Sequence, residues 1–162
     1  MKRRTTRILI PVLILVLTVA CTPSQLSQPA AQSHQGPVRN HVSFVDHLRS
    51  KGLSVEILGE VRQPFLRVKG TRLRVSGGDI NSPAELQSYN YDDTDLQADG
   101  VQVAEADTER IGPDGNPEGV MVHWVKPPHF FHREQLIVLY VGDDPSVLAL
   151  LEGMLGPQFA GR

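Results

Sequence analysis

The chain is short of cysteine and of long apolar runs. It has one cysteine, Cys21, in 162 residues, so no intramolecular disulfide can staple the fold. Its longest apolar run, Ile8 to Val19, is interrupted by Pro11 and Thr18 and falls well below the roughly 20 residues that a membrane-spanning helix needs. There is no serine nucleophile elbow and no phosphate-binding glycine loop, so neither chemistry has a signature here. No internal repeat is present.

The first seven residues include Lys2, Arg3, Arg4 and Arg7 and no acid, and they lead directly into the apolar run. That order is the order of a secretory signal. The run ends in Leu17-Thr18-Val19-Ala20-Cys21, which resembles the lipobox of bacterial lipoproteins, in which small residues precede a cysteine that is lipidated and becomes the mature N-terminus. The family favours leucine three residues before the cysteine, where this chain has Thr18. Lipidation of Cys21 also accounts for a lone thiol in an exported protein, where an unpaired cysteine is otherwise a liability. The resemblance implies a signal peptide over 1–20 and a domain outside the cytoplasm, anchored by palmitate-type acylation to the cell membrane or outer membrane. Thr22, in place of aspartate, resembles outer-membrane sorting.

Residues 21–39 are rich in Gln, Ser, Pro and Ala, with Leu26 and Val38 the large aliphatics. Such a segment buries too little to offset ordering entropy and reads as a disordered tether, with a reach of roughly 20–25 Å. Residues 40–162 are enough for one domain with a single core. Without the signal, 12 basic residues face 18 acidic ones, which argues against nucleic acid as a partner.

Periodicity divides the domain into elements. Ser43 and Asp46 suggest a helix start and Gly52 its stop; Leu53, Val55 and Ile57 alternate as a half-buried strand. Phe65 to Ser76 reads as a hairpin turning at Lys69-Gly70, with Leu66 against Leu73, Val68 against Thr71 and Arg67 opposite Arg72. Glu85 to Tyr91 is a strand, and Asp93 to Glu105 an acidic helix weakened by Gly100. Gly112 to Pro117 is a loop, Val120 to Trp124 a strand broken by Pro127-Pro128, and Gln135 to Val141 a strand apolar on both sides, which belongs mid-sheet. Asp143 or Asp144 with Pro145 starts a last helix carrying Leu148, Leu151 and Leu155, stopped by Gly156. The expected class is α+β: a mainly antiparallel sheet of about five to seven strands with two or three helices packed on it.

Trp124, Pro128-His129-Phe130-Phe131, the strand Leu136 to Gly142 and the ending Leu155 to Gly161 resemble small uncharacterised secreted proteins and lipoproteins of bacteria. That resemblance implies a class and no mechanism.

Two patterns could carry chemistry. His123, His129 and His132 are candidate metal ligands or catalytic bases, though residues three apart on a strand face opposite ways. Asp95, Gln97, Asp99 and Gly100 resemble the start of a calcium loop, but Ala106 stands where a bidentate glutamate is required. Charge is unevenly laid out. Residues 39–78 carry eight basic and three acidic groups, and 79–118 carry one and eleven. Arg67, Lys69, Arg72 and Arg74 are thus a candidate binding surface, unless Glu56, Glu60 and the acidic segment neutralise them within the fold. Together these point to a membrane-tethered envelope or surface protein with no cofactor, whose domain binds an envelope protein or cell-wall polymer, or is structural. The alternative is a metal-binding protein or hydrolase using the three histidines.

Overall fold

The computed structural model describes residues 36–92, 96–97, 99–100, 102–103, 110–111 and 120–161. Cys21, the signal segment, most of the tether and the 112–117 loop lie outside the described residues; Val38 and Arg39, expected in the tether, belong instead to the domain, Val38 buried in its core and the Arg39 carbonyl accepting from the Gln135 N–H. The fold is α+β. Helix α1 (His41–Ser50) is followed by strands β1 (Ser54–Val61), β2 (Gly70–Gly77) and β3 (Ile80–Asn90). Residues 96–97, 99–100 and 102–103 are helical, within the stretch expected to form the acidic helix. Two-residue strands β4 (Arg110–Ile111) and β5 (Val120–Met121) come next, then β6 (Pro128–Arg133), β7 (Leu136–Val141), helix α2 (Pro145–Leu155) and β8 (Ala160–Gly161). The main sheet is antiparallel in the order β1-β2-β3-β7-β6-β8; β4 and β5 pair separately.

Strand alternation sends neighbouring residues into two cores. Leu73, Val75, Leu86, Phe131, Val138 and Tyr140 face Phe44, Leu48, Val147 and Leu151 of the two helices. On the other face Tyr89, Phe130, Ile137 and Leu139 meet Phe65, Leu66, Tyr91 and Val103. The strand that reads as apolar on both sides, β7, is therefore central and covered twice.

Caps fix the helix ends. Asn40, not Ser43, begins α1: its Oδ1 accepts from the Ser43 N–H at 3.0 Å, and Ser43 Oγ accepts from the Asn40 N–H at 3.0 Å. Ser43 is thus the third residue of a capping box. Asp144 caps α2 ahead of Pro145 by accepting from the Ser146 N–H at 2.8 Å, as the sequence suggests.

Three expectations need correction. The Lys69-Gly70 hairpin does not form. Phe65 and Leu66 are consecutive buried residues in the β1–β2 connection, so their spacing is not strand alternation. Arg72 faces Gly59 and Gln87 across the sheet, and Arg67 lies outside it. The tight turn falls instead after Gly77, where Gly77 and Gly78 have φ of +89° and +57°, a conformation that disfavours other residues. Second, Pro127-Pro128 does not end a strand. Pro128 opens β6 at a position where no ladder N–H is needed, and the expected Val120–Trp124 strand shrinks to Val120–Met121. Third, Ile57 on edge strand β1 is 58% exposed, beside a bulge between Ile57 and Gly59 that shifts the register.

Gly70 lies opposite Tyr89. A Cβ there would stand 2.5 Å from the ring carbon Cε1 of Tyr89, a side chain with no exposure. Gly70→Ala is expected to cost about 1–2 kcal/mol through this overpacking. It should lower the urea midpoint by about 0.5–1 M with an unchanged slope; an unchanged midpoint would mean that the ring moves freely.

Candidate functional site

The structure places the four cations of the sequence-predicted surface in different settings. Arg74 sits on β2 in one cross-strand row with Glu56 and Glu85. It reaches Glu56 Oε2 through Nη1 and Glu85 Oε1 through Nη2, both at 3.2 Å. Lys69 Nζ is 2.7 Å from Glu60 Oε1. All of these groups are about half exposed, so each pair is worth only about 0–1 kcal/mol. Arg67, in the β1–β2 connection, meets Asp99, whose side chain has no exposure; Arg67 Nε is 3.3 Å from Oδ1. Asp99 Oδ2 accepts from the Arg67 N–H at 2.8 Å and from the Tyr91 hydroxyl at 3.0 Å. Arg72 is exposed and has no ion-pair partner among the described residues.

The three histidines do not converge. His123 is exposed in the β5–β6 connection. His129 is 6% exposed on the helix-covered face of β6 and stacks on Tyr140. Its Nδ1 lies 2.7 Å from Gln158 Oε1 and its Nε2 2.9 Å from the Gly142 carbonyl, tying the C-terminal segment to the β7–α2 turn. His132, exposed near the end of β6, contacts the Glu134 carbonyl at 2.9 Å, and Glu134 has φ of +50° in the tight β6–β7 turn. Among the described residues no three His, Cys, Asp or Glu side chains gather as a metal would require. Asp99, read as a possible calcium ligand, is buried against Arg67 and Tyr91.

One pair went unnoticed in the sequence. His41 Nδ1 and Ser88 Oγ lie 2.7 Å apart although 47 residues separate them. That is the contact of a nucleophile with its base. Ser88, however, is 2% exposed on the face of the sheet that the helices cover, where a substrate carbonyl has no approach. No carboxylate orients His41 among the described residues, and burial holds its pKa below the ordinary 6.5. The pair therefore binds α1 to β3. Burial likewise pushes the Tyr89 phenol up, with a hydrogen bond from Gln63 opposing it.

Two open clefts flank the same end of the sheet. One, of about 580 Å³, lies between the start of β3 and the β7–α2 turn and is lined by Asn81, Ser82, Glu85, Lys126, Tyr140 and Asp143. At its rim Lys126 Nζ is 2.8 Å from Asp143 Oδ1, a hydrogen bond that raises the lysine pKa and lowers that of the aspartate. The Tyr140 hydroxyl accepts from the Asp144 N–H at 3.2 Å. The other, of about 560 Å³, runs beside α2 between Lys51, Leu53, Asp79, Ile80 and Leu150. Both offer hydrogen-bonding groups and short apolar walls, with no nucleophile beside a base. No helix of the described residues is long and apolar enough to cross a membrane. Compared with known proteins, the chain matches no family, no curated protein and no solved structure.

Proposed function

We propose that this chain is a lipid-anchored protein of the bacterial envelope or surface whose domain binds or supports an envelope component without catalysing a reaction. The observation that carries this reading is the order of the first 21 residues: four cations without an acid, an apolar run too short to span, small residues, then the lone cysteine. The composition from Cys21 to Pro37 supports it by supplying a linker between lipid and domain. A hydrolase or metal centre on His123, His129 and His132 needs those side chains in one place, and each has a separate setting.

Replacing Cys21 by serine tests the anchor. Acyl chains contribute about 0.8 kcal/mol per buried CH₂, so their loss should move the protein from the membrane fraction to soluble or unprocessed forms. Unchanged fractionation, or no acyl label on the wild-type protein, overturns the reading.

A further inference from the structure

We infer that β1 is an interface: two copies of this chain pair antiparallel through it, which joins their six-stranded sheets into one. The main sheet has edges of unequal length. β8 is two residues long, whereas β1 runs for eight. No strand covers the outer side of β1 among the described residues, and a bare edge of that length is a template for another strand. Ile57 stands opposite the buried Leu73, on the face that the helices cover, yet it is 58% exposed. Val55, Leu58 and Val61 on the same strand are half-buried.

Hydrogen-bond alternation identifies the groups on offer. The Tyr91 N–H donates to the Gln135 carbonyl in step with the β3–β7 ladder, so odd-numbered residues of β3 direct their backbone groups to β7 and even-numbered ones to β2. Carried across the β2–β3 and β1–β2 registers, the same alternation turns Ser54, Glu56, Gly59 and Val61 toward β2. It leaves the N–H and C=O of Val55, Ile57 and Glu60 facing outward.

The bulge makes this edge complementary to itself. Full overlap with an antiparallel copy sets Ser54 opposite Val61, Val55 opposite Glu60 and Glu56 opposite Gly59. Val55 and Glu60 both turn their backbone groups outward, and their side chains share the helix-covered face with their partners Val75 and Thr71. Glu56 and Gly59 share the other face with Arg74 and Arg72. In a regular strand of eight residues, whose side chains alternate strictly, the same overlap would set opposite faces together. A one-residue slip would match the faces but bring Glu56 opposite Glu60, like charges that destabilise a pair. The bulge between Ile57 and Gly59 removes that conflict. Glu56 and Glu60 already meet Arg74 and Lys69 of their own chain, so neither brings a bare charge to the seam. Ile57 and Leu58 of both copies meet at the twofold axis, which covers the exposed Ile57. A dimer carries two tethers; that consequence rests on the anchor reading, and the pairing does not.

Sedimentation of the full chain over about 1–200 µM, a range that captures micromolar association, tests it. The mass should double as concentration rises. Ile57→Lys, which sets two ammonium groups beside the axis, should weaken association at least about tenfold and leave the melting temperature of the monomer unchanged. Amide exchange at the two ends of the concentration range reads the register. The N–H groups of Val55 and Glu60 should gain protection on association, beyond any gain at Glu56 and Gly59, which bond to β2 in either state. A monomer throughout, association that survives Ile57→Lys, or protection gained elsewhere than at Val55 and Glu60 overturns the pairing. If Ile57→Lys does not fold, the amide pattern of the wild type decides alone. Fractionation of Cys21→Ser reports on the anchor alone, so the two ideas fail separately.

Discussion

Replacing Leu151 by alanine is expected to destabilise the domain by about 2–5 kcal/mol, among the largest effects of any single change. Leu151 has no exposure and belongs to the cluster that joins α2 to Phe44 and Leu48 of α1 and to Leu86, Phe131 and Val138 of the sheet. Truncation leaves a cavity bounded on both sides by regular elements, which collapse poorly around a void. The melting temperature should drop by about 6–20 °C for a domain of this size. Leu148, on the same helix but half-buried, should cost much less on the same change. A melting temperature for Leu151→Ala within a degree of wild type would mean that α2 is peripheral to the core.

Leu151 was legible as a core residue because it lies on an apolar stripe between two unambiguous helix signals, Asp144-Pro145 and Gly156. The central place of β7 was legible for a similar reason: six consecutive apolar residues have nowhere to go except between two layers. Where a local signal competed with a long-range one, the reading failed. Leu66 and Val68 alternate like strand residues, but Asp99, 32 residues on from Arg67, draws that stretch out of the sheet. Lys69-Gly70 has the composition of a turn, yet its glycine is there for closeness to Tyr89. Pro128 looked like a breaker because its lack of an N–H matters only where a neighbour needs one, and strand order is not written locally.

Candidate site residues were harder to read. The divergence of His129 and His132 followed from strand periodicity alone, but the roles of these rings in tying the C-terminal segment and the β6–β7 turn depend on Gln158, Gly142 and Glu134, which no spacing rule links to them. His41 and Ser88 carry no motif; only sheet register and the docking of α1 bring them together. Glu56 and Glu60 were legible as acids near the basic stretch, and each meets a cation, although through pairings different from the expected hairpin.

The charge pattern leads to the second large effect, a difference between two arginines that the sequence treats alike. Arg67→Gln is expected to cost about 1–3 kcal/mol, whereas Arg72→Gln should fall within about 0.5 kcal/mol of wild type. The cause is the partner. Asp99 has no exposure, and losing the guanidinium leaves its carboxylate with hydrogen bonds from the Arg67 N–H and Tyr91 hydroxyl but without that positive charge. Removing one member of a fully buried pair costs about 3–5 kcal/mol; the smaller figure here reflects the 52% exposure of the Arg67 side chain. Because Asp99 lies in the helical stretch over the second core, the damage should spread to the packing of Phe65, Leu66 and Val103. Arg72 has no such carboxylate among the described residues; it is exposed and stands opposite Gln87 and Gly59 in the sheet. Urea unfolding of the two single variants checks this. Equal midpoints would show that Arg67 acts as one more surface cation and that the other two contacts suffice for Asp99.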